Sequence, residues 1–168
     1  MLGEHAQRAA RTYGAAADHF TLAPLNFWDR LGAATVARLP LATGDTVLDL
    51  CCGAGASAIP AVVGEIEPSL VKAYQPWDKL TGPAALAGLF TRAGASEPAV
   101  TDVPGQHRLD RPEDFWDVVL GSGYRATVDA LSPRQRGRLH DRLLGELRSA
   151  AVTYIRTDAV FGAARKPV

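Results

Sequence analysis

The chain has 168 residues, 47% of them apolar, which is enough for one domain of ordinary size with its own core. Its 18 lysines and arginines balance 18 aspartates and glutamates, so it has no excess positive potential with which to hold a nucleic-acid backbone or an anionic membrane surface. No apolar run reaches the roughly 18 residues of a spanning helix, and MLGEHAQRAARTYG lacks the apolar stretch of a secretion signal, so a cytoplasmic chain is expected.

Residues 1–20 carry an Ala-rich helical pattern ending in the cluster Tyr13, His19, Phe20, with a break at Pro24. In LNFWDRLGAATVARL, 25–39, Leu25, Trp28, Leu31, Val36 and Leu39 recur near a 3.6-residue period, which predicts a second amphipathic helix closed by Pro40. TVLDLCC, 46–52, follows the turn signal Thr43-Gly44-Asp45 and reads as a short buried strand. GAGASAIPAVV then leads into a helix that Pro60 and Gly64 keep short. The stretch 65–83 holds internal prolines and no clean period, the pattern of a loop with one brief helical turn.

Residues 83–95 begin with proline and end at Gly94, the favoured asymmetry for a helix. EPAVTDV reads as a strand and PGQHR as a turn. RPEDFWDVVLGSGY opens a helix with proline and acidic residues and ends it at Gly121-Ser122-Gly123. Residues 132–150 start Ser-Pro and place Leu139, Leu143, Leu144 and Leu147 on one side of a helix, with arginines on the solvated side. The last segment, 151–166, alternates as a long strand with a register change near Asp158. No repeat, low-complexity tract or linker divides the chain, and the sum is helix-rich α/β or α+β with about three strands.

Cys51 and Cys52 are adjacent, which suits neither a disulfide nor a zinc knuckle and reads as buried thiols. His5, His19, His107 and His140 lack metal-ligand spacing and read as surface or capping residues, with His19 set apart by its aromatic neighbours. GAGASA is not the G-x-S-x-G elbow of a serine hydrolase, and the carboxylates form no evident catalytic pair. Arginine supplies nearly all the basic charge and Ala, Gly and Pro are plentiful, a composition typical of a GC-rich bacterial genome.

The apolar strand ending Asp49-Leu50-Cys51-Cys52 and running into Gly53-Ala54-Gly55 is a strand, glycine turn and helix in which a ligand can approach the backbone. In its setting, VLDLCCGAGASAIP, it resembles the first motif of class I S-adenosylmethionine-dependent methyltransferases. YGAAADHFTLAPLNFWDRLGAATVARL is similar to the N-terminal cap of the small-molecule members related to the quinone-biosynthesis C-methyltransferases. The segments from PWDKLTGPAALAGLFTRAGA to TYIRTDAVFGAARK are similar to the C-terminal third of that group.

The resemblance implies an α/β, truncated Rossmann-like methyltransferase fold in one domain over 1–168. Residues 1–40 would be a helical cap, 41–64 the first-motif strand, turn and helix, and 65–168 a C-terminal substrate-side part. The middle departs from the family. About 20 residues past the glycine turn, where the family carries the ribose-binding acid, stand Val71, Lys72, Ala73 and Tyr74, and only Glu65 or Glu67 could substitute. The adenine-contacting aspartate and the strands numbered second to fifth in the family's sheet are missing too. Cofactor binding is therefore expected to be weak or absent, and a homodimer is expected to cover what the missing strands uncover.

By the same resemblance the cap and the segment near 115–124 are walls of a substrate cavity. Tyr13, His19, Tyr74 and Trp77 are the candidate catalytic residues. Phe20, Phe27, Trp28, Trp116 and Tyr124 are the candidate substrate-binding residues, although ordinary core packing is the readier explanation of Phe27, Trp28, Phe115 and Trp116 taken singly. Asp49, Gly53 and Gly55 are the cofactor residues if S-adenosylmethionine binds; no cofactor and no metal is the leading expectation. A cofactor-independent cyclase or isomerase follows, a pericyclase being one such enzyme, acting on an apolar polyketide-type intermediate. The alternatives are a small-molecule methyltransferase and a non-catalytic partner of a full-length methyltransferase.

Overall fold

A computed structural model describes residues 4–38, 58–71 and 82–165. The strand expected at 46–52 lies outside them, as do Cys51, Cys52, Asp49, Gly53, Gly55, Tyr74 and Trp77. The chain is mixed helix and strand with small sheets, and its backbone groups into two compact units. One comprises Met1–Trp28, Gly53–Lys72 and Arg108–Ile155, and the other Asp29–Cys52, Ala73–His107 and Arg156–Val168.

The first unit is helical. Helix α1 (Glu4–Ala16) tightens into the 3-10 turn Ala17–His19, and a second 3-10 turn, Ala23–Leu25, follows with Pro24 in its first positions. Bonds of i to i+3 type run through this stretch, from Phe20 N–H to the Ala17 carbonyl, Leu22 to His19, Leu25 to Leu22 and Asn26 to Ala23. The chain thus reverses in little space before α2 (Phe27–Val36) begins. Helix α3 (Ala58–Ile66) carries Ile59, Val62, Val63 and Ile66 at helical spacing, and that stripe packs on α7 (Pro133–Ser149), which answers with Leu139 and Leu143. Phe115, Val119, Val128, Leu109 and Leu131 complete this core.

Helix α7 begins with a capping box. Ser132 Oγ accepts from the Gln135 N–H while the Gln135 side chain accepts from the Ser132 N–H. The Gln135 amide also donates to Glu67 Oε2 at 2.9 Å, and Glu67 Oε1 accepts from the Ser69 hydroxyl at 2.6 Å, beside the 3-10 turn Pro68–Leu70. The hydroxyl of Ser69, then the amide of Gln135, hold the Glu67 carboxyl below the ordinary glutamate value. Glu113 pairs with Arg148 and Glu65 with Arg142, tying further points to the α7 surface.

Helix α5 (Asp114–Leu120) is preceded by a turn that its own first residue organises. Asp114 Oδ2 accepts from the N–H groups of Asp110 (3.0 Å) and Arg111 (3.1 Å), and Oδ1 accepts from Arg111 Nε at 2.9 Å. Burial pushes this carboxyl up, but the Arg111 guanidinium and the two amides together outweigh it and hold it below the ordinary aspartate value. The Gly121-Ser122-Gly123 turn ends α5 as the sequence predicts, and α6 (Arg125–Ala130), a short helix without a clear sequence signal, follows at once.

The second unit holds β1 (Ser96–Val103) and β4 (Ala159–Arg165), paired antiparallel, with α4 (Pro83–Arg92) against them. Gly162, opposite Val100, shows why the helix sits so close: a Cβ there would lie 2.6 Å from Phe90 Cε2 and 2.8 Å from Leu86 Cδ2. Gly94, at φ 76°, closes α4, with the N–H of Ala95 on the Phe90 carbonyl and that of Gly94 on the Thr91 carbonyl. Glu97, at φ 52°, sits in the register irregularity between Ser96 and Ala99. Arg38 lies over the Phe161 ring at 4.8 Å.

Three local expectations change. PGQHR contains a short strand, β2 (Gln106–Arg108), besides its turn, and the long strand expected over 151–166 is two, β3 (Tyr154–Arg156) and β4, with β3 paired to β2. The break has a tertiary cause: buried Thr157 donates its N–H to the Gly105 carbonyl, and Gly105 N–H donates to Asp158 Oδ1, which pulls the chain out of the strand. His107, expected at the surface, is 7% exposed and its Nδ1 lies 3.3 Å from Arg30 NH2.

Candidate functional site

Within the helical unit the two 3-10 turns of the cap pack against α5, and α1 packs against α6. Gly121 makes this approach possible. A Cβ at that buried position would lie 2.4 Å from Leu25 Cδ2 and 3.2 Å from His19 Cβ, so the cap rests on bare backbone. Two residues on, the Tyr13 hydroxyl lies 3.6 Å from where a Cβ on Gly123 would stand. Ser122 holds the turn, its hydroxyl donating to the Val119 carbonyl and accepting from the Tyr124 N–H. Tyr13 and His19 are thereby brought beside Gly121–Tyr124.

Polarity is unevenly met at this junction. Leu25 and Phe27 are 1% and 2% exposed, and Phe115 and Val119 line α5 from within the core. His19 Nδ1, beside Gly121, and Trp28 Nε1, in the first turn of α2, are buried and have no hydrogen-bond partner among the described residues. A buried polar atom left unpaired costs about 1–3 kcal/mol, so each is a point where a ligand oxygen or nitrogen gains more than at the surface. The Phe27 and Trp28 rings lie 4.9 Å apart at a 38° tilt, which fixes the indole.

The other candidates are placed differently. Tyr13 and Phe20 are each 40% exposed and, with exposed Leu22, give the cap an apolar outer surface. Trp116 is partly buried against the core and stands edge-on to the His140 ring at 5.1 Å, engaged with α7. Tyr124 is also partly buried against that core. Tyr74, Trp77, Asp49, Gly53 and Gly55 lie outside the described residues. Gly121 and Leu25, which form the closest contact of the junction, carry no functional signal in the sequence beyond the Gly-Ser-Gly helix stop.

Both carboxylates available as stand-ins for a ribose-binding acid make protein contacts. Glu67 places both oxygens on Ser69 and Gln135, and Glu65 faces Arg142 with its Oε2 3.5 Å from Nε, each side chain of that pair being more than half exposed. These contacts lie where α3 packs on α7. Among the described residues no group of three or more His, Cys, Asp or Glu could hold a metal ion, and no helix is long and apolar enough to cross a membrane. Comparison of the chain with protein-family models, with curated proteins and with solved structures finds no match.

Proposed function

We propose that this chain is a cytoplasmic, cofactor-independent cyclase or isomerase, built on a cut-down methyltransferase-like scaffold and acting on an apolar, flexible natural-product intermediate of polyketide type. The observation that carries this reading is the pair of unpartnered buried polar atoms, His19 Nδ1 and Trp28 Nε1, in a cap whose 3-10 turns are packed on α5. The engagement of Glu65 and Glu67 in protein contacts supports it further, because it leaves methyl transfer without a ribose anchor among the described residues.

The chemistry asked of such a site is modest. In a pericyclic ring closure a carbon–carbon bond forms as π bonds shift within one molecule; nothing enters or leaves and no proton has to be moved. A rigid apolar wall that holds the reacting carbons in a near-attack arrangement lowers the barrier by removing conformational freedom beforehand. One or two fixed polar groups add to this where charge builds up in the transition state. In this reading His19 and the Tyr13 hydroxyl are such groups, and a homodimer covers the strand edges that have no partner among the described residues.

The test is incubation of the purified chain with linear polyene and macrolactone precursors, without added cofactor, followed by chromatography and mass spectrometry. The expected product has the mass of its substrate and a new retention time, and its formation falls at least tenfold in Tyr13→Phe/His19→Ala. Low-micromolar binding of S-adenosylmethionine in calorimetry would overturn the proposal in favour of methyl transfer.

A further inference from the structure

An indole N–H can only donate. Imidazole can exchange donor and acceptor roles between its nitrogens, and a phenol does both with one oxygen, but no tautomer or rotation turns Trp28 Nε1 into an acceptor. The group that faces it in a complex must therefore bring a lone pair. The half-buried Trp28 ring packs on Phe27, which is 2% exposed, while Tyr13 and Phe20 are each 40% exposed. A donor that is buried, unpartnered among the described residues and fixed by an aromatic neighbour discriminates strongly, because a ligand lacking the acceptor leaves it unpaired.

We propose that Trp28 reads a carbonyl oxygen, so that the ligands of this chain are ketones, esters or lactones on an apolar skeleton, and not pure hydrocarbons or cationic amines. The inference rests on the small-molecule reading above and narrows it to a substrate class. Trp28 acts as a hydrogen-bond donor to the substrate oxygen, and no bond is made or broken at the indole. In a cyclisation the same contact draws electron density from a conjugated carbon chain towards that oxygen, which favours a polarised transition state.

The test uses the full chain and two probes of one shape, 1-tetralone and 1-methylidenetetralin, in which an oxygen is exchanged for a CH2 group. With 15N-labelled tryptophan the chain has three indole N–H groups, those of Trp28, Trp77 and Trp116. Trp28→Phe assigns the signal of the first. The expected result is a downfield shift of the Trp28 indole proton with the ketone and not with the hydrocarbon, an affinity about tenfold higher for the ketone, equivalent to about 1.4 kcal/mol, and loss of that preference in Trp28→Phe. Equal binding of both probes, or ketone binding that leaves the Trp28 proton unmoved, overturns the inference while the apolar site stands. Binding of neither probe overturns the inference and the small-molecule reading together. Trp77→Phe and Trp116→Phe identify the other two signals, so the Trp28 shift is assigned and read on the unaltered chain even where the Trp28 variant is poorly folded.

Discussion

Replacing Gly121 by alanine puts one methyl group into the contact on which the cap is seated. The new carbon would lie 2.4 Å from Leu25 Cδ2, more than 1 Å inside the roughly 3.5–4.0 Å of a relaxed carbon contact, and 3.2 Å from His19 Cβ. Leu25 is 1% exposed and has no solvent to turn into. Overpacking of this kind costs about 1–3 kcal/mol. The backbone itself accepts alanine, since Gly121 sits at φ −85°, and the loss of a glycine from the unfolded chain returns about 0.4–1 kcal/mol. The net expectation is a loss of about 1–2 kcal/mol, or roughly 2–8 °C in Tm for a chain of this size. Urea unfolding followed by circular dichroism measures it. Leu25→Ala removes the clashing methyls, so the double variant should be less destabilised than the two single losses added together, by about 0.5–3 kcal/mol. A Gly121→Ala chain as stable as the parent, or strict additivity with Leu25→Ala, would refute the seating of the cap on α5.

Asp114 should shape the acid limb of stability. Its carboxyl is held below the ordinary aspartate value, so its contribution is complete above about pH 4 and fades as the pH falls through the lowered value. Asp114→Asn is expected to cost about 1–3 kcal/mol at pH 7 and to flatten the stability profile below pH 4, which urea midpoints between about pH 2.5 and 7 would read. Ala151, at φ 49°, closes α7 with its N–H on the Arg148 carbonyl and that of Val152 on the Leu147 carbonyl, a position that suits glycine. Relief of about 1–2 kcal/mol of left-handed strain, less about 0.5–1 kcal/mol of glycine entropy, predicts that Ala151→Gly stabilises by about 0.5–1 kcal/mol, seen as a higher urea midpoint at unchanged slope.

Helices with strong end signals are legible in this sequence. Ser132-Pro133 with Gln135 announces α7, and Pro83 with Gly94 brackets α4, because caps and φ preferences are properties of a few neighbouring residues. The short elements are not: α6 has six residues and β2 and β3 three each, too few to express a period, and the interruption between β3 and β4 depends on Gly105, distant in the chain. The burial of His107 is likewise a tertiary fact. At the candidate site the aromatic cluster of the cap is visible by composition, whereas the contact of Leu25 with Gly121 arises only once α5 and the 3-10 turns are packed together, and the unpartnered indole of Trp28 is likewise a fact of the folded chain. Glu65 and Glu67 are the converse case, carboxylates that stand where a ligand contact could be sought and that the fold spends on Arg142, Ser69 and Gln135.

The relay from Ser132 through Gln135 and Glu67 to Ser69 joins places 68 residues apart at its central bond. Helix ends are normally where local opening begins, each fraying on its own. Here the first turn of α7 cannot loosen without stranding the Glu67 carboxylate, and the bend at Pro68–Leu70 cannot loosen without taking an acceptor from Gln135. Two termini that would otherwise melt separately are thereby coupled, and the longest of the described helices starts from a corner whose opening is tied to the α3–α7 contact.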